Sequence, residues 1–126
     1  MTRGRVLLLE DDLALRGLLV EALVGEDFDV QAFETIAQVV AAAHEHAGDV
    51  VVADYWGDSQ RTLEATDREE IQRLGAIVPT VLLTGRSWAA DNTALQLGAR
   101  ALIRKPFDLD YLLETVERVL TESAQA

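Results

Sequence analysis

Short runs that are apolar at every position recur along this chain, separated by longer stretches of helical period. Val6-Leu7-Leu8-Leu9 and Val50-Val51-Val52-Ala53 are the clearest. A strand covered on both faces reads this way, because neither side of it meets water. β-rich segments are predicted at 5–9, 29–33, 49–53, 80–83 and 101–104. Three of them are apolar throughout after their first residue. Asp29-Val30-Gln31-Ala32-Phe33 instead alternates and suits a sheet edge. A helix-forming stretch follows every strand, so the order is βα repeated along the chain. That order predicts an α/β domain with a parallel sheet and right-handed crossovers. A length of 126 residues with 49% apolar content fits one domain with one closed core.

Glycines punctuate the helical stretches. Gly25, Gly48, Gly75 and Gly98 each follow one, where a left-handed residue ends a helix. The first helix carries Leu15, Leu18, Leu19, Ala22 and Leu23 on one face. The second opens at Thr35 with Gln38 three residues on, a capping-box signature, and repeats Ile36, Val39, Val40 and Ala43. Thr66 and Glu69 give a similar signature before a short helix bearing Ile71 and Leu74. A fourth, near Trp88 to Leu97, is weakly amphipathic. A fifth begins after Asp108 and spaces Leu109, Leu112, Leu113, Val116 and Leu120 helically. Tyr55 to Ala65 is polar and rich in turn formers.

Acidic residues stand where the apolar runs stop: Glu10-Asp11-Asp12 after the first and Asp54 after the third. A doubly wound sheet gathers the C-terminal ends of its strands into one crevice. Two carboxylates about 4 Å apart repel by roughly 4 kcal/mol at an effective dielectric near 20. Protons, water or a cation must relieve that, so the pocket asks for a divalent metal. Asp12 reads as a helix N-cap. His44 and His46 sit at a helix end, where they favour the dipole and face solvent.

The formal charge of −11 argues against nucleic acid and against an anionic membrane surface. No cysteine is present, which excludes disulfides and thiol chemistry. The N-terminal apolar stretch breaks at Glu10, too soon for a signal peptide or a spanning helix. A cytoplasmic protein is expected.

Thr84-Gly85 follows the fourth strand and Lys105-Pro106 the fifth. With the acid pair and Asp54, these residues make the whole chain resemble the receiver domain of two-component response regulators. The resemblance implies a flavodoxin-like doubly wound (βα)5 fold with a five-stranded parallel sheet in the order 2-1-3-4-5. It implies a single receiver domain over residues 1–126, with no output domain in this chain. It implies that Asp54 accepts a phosphoryl group from a histidine kinase or phosphotransfer protein in a Mg²⁺-dependent reaction. Asp11 and Asp54 would bind the ion directly with the backbone carbonyl of Trp56, and Glu10 would act through water. Lys105 would meet the phosphoryl oxygens and Thr84 would donate its hydroxyl. Gly85 would leave room beside the phosphoryl group. The Lys105-Pro106 bond is expected to be cis, as in the family. The implied role is a switch, not an enzyme: self-catalysed phosphoryl acceptance and slow autodephosphorylation are its only chemistry. An unknown downstream protein would bind the face formed by the fourth helix, fifth strand and fifth helix, near Trp88, Arg104 and Tyr111.

Two departures from the family pattern stand out. The segment after Asp54 reads Tyr55-Trp56-Gly57-Asp58-Ser59-Gln60-Arg61, without the usual proline. Trp56 and Arg86 occupy the positions that tune aspartyl-phosphate lifetime, and a bulky indole predicts slow loss of the group. Leu102 stands where many receivers carry a switching Tyr or Phe. These departures keep an alternative open, a receiver-like protein-interaction module that is not phosphorylated. A haloacid-dehalogenase-type phosphatase fits poorly, because Trp56 stands where its second acid belongs. A flavodoxin-like FMN binder lacks its phosphate-cradling loop after the first strand.

Overall fold

The computed structural model describes residues 3–45, 47–54, 64–85 and 93–125. Five strands form one parallel sheet: β1 (Arg5–Glu10), β2 (Asp29–Phe33), β3 (Val50–Asp54), β4 (Thr80–Thr84) and β5 (Ala101–Arg104). Their spatial order is β2-β1-β3-β4-β5, as the resemblance implies. The alternating segment 29–33 does lie at an edge.

Side chains alternate across each strand and so supply two cores. Leu7, Leu9, Val51, Ala53 and Leu82 pack with α2 (Ile36–His44), α3 (Ala65–Ile77) and α4 (Ala94–Leu97) through Val39, Ile71, Leu74 and Leu97. Val6, Leu8, Val50, Val52, Val81, Leu83 and Ile103 pack with α1 (Leu13–Gly25) and α5 (Leu109–Gln125) through Leu19, Leu23, Leu112, Val116 and Val119. Both faces of β1, β3 and β4 are therefore dry, which is why those strands admit polar residues only at their first and last positions.

Thr35 and Gln38 form the expected capping box, with Gln38 N donating to Thr35 Oγ1 at 3.2 Å. A second box, Thr93 with Gln96, starts α4. The Thr66–Glu69 signature is not used. Arg68 N donates to Glu64 O at 3.0 Å, so α3 begins at Ala65 and Thr66 falls inside its first turn.

Of the four punctuating glycines, Gly98 alone is left-handed (φ 81). Gly25 lies within α1, and Asp27 (φ 67) makes the turn instead. Gly48 and Gly75 serve packing. A Cβ at Gly48 would lie 2.4 Å from Leu7 Cγ, and one at Gly75 would lie 2.0 Å from the Gly98 carbonyl oxygen. Leu18, expected on the buried face of α1, is 48% exposed.

Candidate functional site

Strand order decides what meets what. The chain leaves β1 toward α1 on one face of the sheet and leaves β3 toward α3 on the other, so a crevice opens above the β1–β3 boundary. The register pairs Glu10 directly with Asp54 across that boundary. Alternation puts Glu10 on the face of Val6 and Leu8, and Asp54 on the face of Val50 and Val52, which is the same face. The two acids are neighbours because both strands end in phase.

Asp12 ends the first strand by capping α1. Its backbone is extended, and its Oδ1 accepts from Leu15 N at 3.1 Å. Its own N–H donates to Glu10 Oε1 at 3.2 Å, which turns the glutamate into the crevice. Asp11, between them, is left exposed at the rim. Glu10, Asp11 and Asp54 each offer a carboxylate oxygen, and these lie within 4.8 Å of one another.

Lys105 reaches the cluster from the other side. Its N–H donates to Thr84 O at 2.8 Å, and the peptide bond to Pro106 is cis as expected. Its Nζ donates to Asp54 Oδ2 and lies 3.6 Å from Glu10 Oε2. Thr84 ends β4 and is buried. Gly85 is exposed, and among the described residues a Cβ there would meet the Lys105 stem at ordinary distances of 3.8 and 3.9 Å. Among the described residues, packing does not demand glycine at that position.

Burial sets the electrostatics. Glu10 is fully buried, and among the described residues its Oε2 has no hydrogen-bond partner. Its pKa is pushed up from 4.5 to about 7. Burial is the main cause and the Asp54 charge adds to it; the Asp12 N–H and the Lys105 charge oppose it. Burial alone would lower the Lys105 pKa, but its hydrogen bond and charge attraction to Asp54, with the Glu10 charge behind them, raise it. Among the described residues the pocket holds three carboxyl groups against one ammonium, so these groups are short of positive charge. Hard oxygen donors and a buried Glu10 oxygen that accepts no hydrogen bond among the described residues suit Mg²⁺, which takes few protein ligands and keeps several waters.

Glu10, Asp11, Asp54, Thr84 and Lys105 all stand at the C-terminal edge of the sheet. Trp56, Arg86, Trp88 and His46 lie outside the described residues. His44 is an exposed residue ending α2, remote in sequence from the crevice acids. Leu102 is half-buried and packs on the core beneath α2 and α3.

Sequence reasoning missed an apolar cleft of about 420 Å³ beside the acids, lined by Leu15, Leu18, Lys105, Pro106, Phe107 and Leu109. Leu13 on the same helix is 71% exposed. The signal was present: α1 carries only Arg16 and Glu21 as charges and is apolar almost all round. Such a helix expects cover on both sides.

The family model for the response regulator receiver domain matches residues 6–117. The chain is 30% identical over 122 residues to the DNA-binding transcriptional regulator NtrC of Escherichia coli (strain K12), covering 96% of this chain and 26% of that protein. The fold superposes on NtrX from Brucella abortus with a TM-score of 0.76 at 26% identity, over 99% of this chain and 28% of that one. A CheY-like receiver domain protein from Methanospirillum hungatei JF-1 gives a TM-score of 0.75 at 21% identity, over 96% of each chain, and so shares the fold. The chain thus spans about a quarter of the NtrC and NtrX lengths.

Proposed function

The chain belongs to the response regulator receiver family, and from that premise we propose that it is a signalling switch phosphorylated on Asp54. The observation that carries the reading is the meeting of Glu10, Asp11 and Asp54 with the Lys105 ammonium at one strand edge. One Asp54 oxygen attacks phosphorus, a P–O bond forms, and the P–N bond to a donor histidine breaks. Phosphoryl transfer asks the protein mainly for alignment and charge stabilisation. Lys105 moves its ammonium from the carboxylate to the incoming phosphoryl oxygens, and Thr84 donates its hydroxyl to another. Asp11 and Asp54, with Glu10 through water and the Trp56 carbonyl, would hold a magnesium ion, whose chemistry is to neutralise charge on the transferring group.

The donor is a histidine kinase or phosphotransfer protein. It approaches over the start of α1, where Leu13, Leu18 and the cleft beneath Phe107 offer apolar surface at the mouth of the pocket. The receiver acts as one domain over residues 1–126 and hands the signal to a downstream protein through a groove of about 430 Å³ lined by Leu102, Arg104, Phe107 and Tyr111. It is not an enzyme in this reading, and it works in the cytoplasm. No helix among the described residues is long and apolar enough to cross a membrane. The alternative, an interaction module that is not phosphorylated, would have no use for a buried glutamate facing two aspartates and a lysine.

Acetyl phosphate with Mg²⁺ tests the proposal. Mass spectrometry is expected to find one phosphoryl group on the wild-type protein and none on Asp54→Asn. Absence of modification in both proteins sinks it in favour of the interaction module.

A further inference from the structure

Leu13, Leu18 and Val24, three of the five large apolar side chains exposed among the described residues, stand on α1. They do not form one patch, because successive residues turn about 100° around a helix. Leu18 turns toward Leu15 and lines the cleft beside Phe107. Leu13, Gly17, Val20 and Val24 fall on the other flank, in a stripe about 60° wide. Their 4-3-4 spacing is that of a helix-pairing seam. Val20 rests in part on the core, and the middle of the seam is open, since a Cβ at Gly17 would meet nothing within 4 Å. We propose that this seam is a self-association surface, on which α1 packs parallel to α1 of a second copy and each Arg16 meets Glu21 of the other.

Charge complementarity selects both the occupant and its direction. Arg16 and Glu21 are the only charges on α1, and they lie on opposite sides of the seam, each about 70° from its centre. Neither takes part in an ion pair among the described residues. In a parallel two-fold pair, opposite flanks of the two helices meet, and the flanking residues that meet are about five positions apart. Arg16 and Glu21 have that separation, so symmetry supplies two ion pairs at once. An antiparallel pair brings like flanks together and leaves both charges without an opposite partner. The chain's charge of −11 opposes self-association elsewhere, whereas α1, with one base and one acid, is neutral. Leu13 and Val24, at the two ends of the seam, then each cover their own copies.

A seam this short makes a transient pair, with a dissociation constant of about 100 µM. Sedimentation velocity from about 10 µM to about 1 mM, without any phosphodonor, is expected to show monomer passing into dimer. Arg16→Glu and Glu21→Arg are each expected to weaken the pair about tenfold, and both changes in one chain to restore it to within about threefold of wild type. The chain has no cysteine, so Val24→Cys and Leu95→Cys each place a single thiol. Val24→Cys is expected to cross-link to its own copy on mild oxidation, because a parallel pair sets residue 24 against itself. Leu95→Cys, at a position 88% exposed on α4, is expected to stay monomeric. Circular dichroism checks each variant for folding; where a charge exchange unfolds the chain, the Val24→Cys cross-link decides. Monomer alone across the whole range, a double exchange that restores nothing, or Leu95→Cys cross-linking as fast as Val24→Cys overturns the inference.

Discussion

Glu10 makes the metal-free protein sensitive to pH in a direction opposite to that of an ordinary surface carboxylate. Its folded-state pKa of about 7 stands above the usual 4.5, because burial penalises the charged form. The folded chain therefore holds this proton more tightly than the unfolded chain. The stability it contributes is complete below 4.5 and is lost as pH rises through about 7. Between about pH 5 and about pH 8.5 the loss is roughly 2–3 kcal/mol, at about 1.4 kcal/mol per tenfold difference in proton affinity. For a domain of this size that is roughly 10 °C in Tm. Glu10→Gln keeps the shape and can still accept from the Asp12 N–H, but it has no charge to bury. Thermal denaturation in the presence of chelator is expected to show the two proteins equal near pH 5 and the variant more stable by about that amount near pH 8.5. Groups remote from the pocket affect both proteins alike, so the difference reports Glu10 together with the Asp54 and Lys105 charges coupled to it. A difference that stays constant across the range, or one that favours wild type at high pH, refutes the reasoning.

On the α1 lip, Leu18→Asp is expected to slow phosphoryl uptake from a histidine donor by about tenfold or more, since a buried leucine contributes about 1.5–3 kcal/mol. Labelling by acetyl phosphate is expected to be unchanged, and an equal loss with both donors would show that the lip serves folding instead. Gly75→Ala puts a methyl 2.0 Å from the Gly98 carbonyl oxygen. Denaturant titration is expected to show a net loss of about 1–3 kcal/mol although alanine is the better helix former. Replacing Trp56 by asparagine is expected to shorten the aspartyl-phosphate lifetime, followed as decay of a labelled sample; an unchanged or longer lifetime would remove the indole as a barrier to water.

The strands were legible because β1, β3 and β4 are dry on both faces, and a doubly dry strand leaves a run of apolar letters with a polar letter at its end. That end is the candidate site, so Glu10, Asp54 and Thr84 could be picked out as candidates from the same pattern that marked the sheet. Helix ends were less legible. Glycine marks a left-handed turn at Gly98, but at Gly48 and Gly75 it marks the close approach of Leu7 and of the Gly98 backbone, contacts made far along the chain. α1 misled for a different reason. A helix apolar almost all round has no preferred face in its letters, so Leu18 read as buried although the fold leaves it half exposed beside the crevice. Burial separates Glu10 from Asp11 in the same way. Adjacent acids look equivalent in sequence, yet β1 carries one into the sheet and ends before the other. In the metal-binding role proposed above, the buried acid would resist its own charge until a cation came, and the exposed one would meet that cation at the rim.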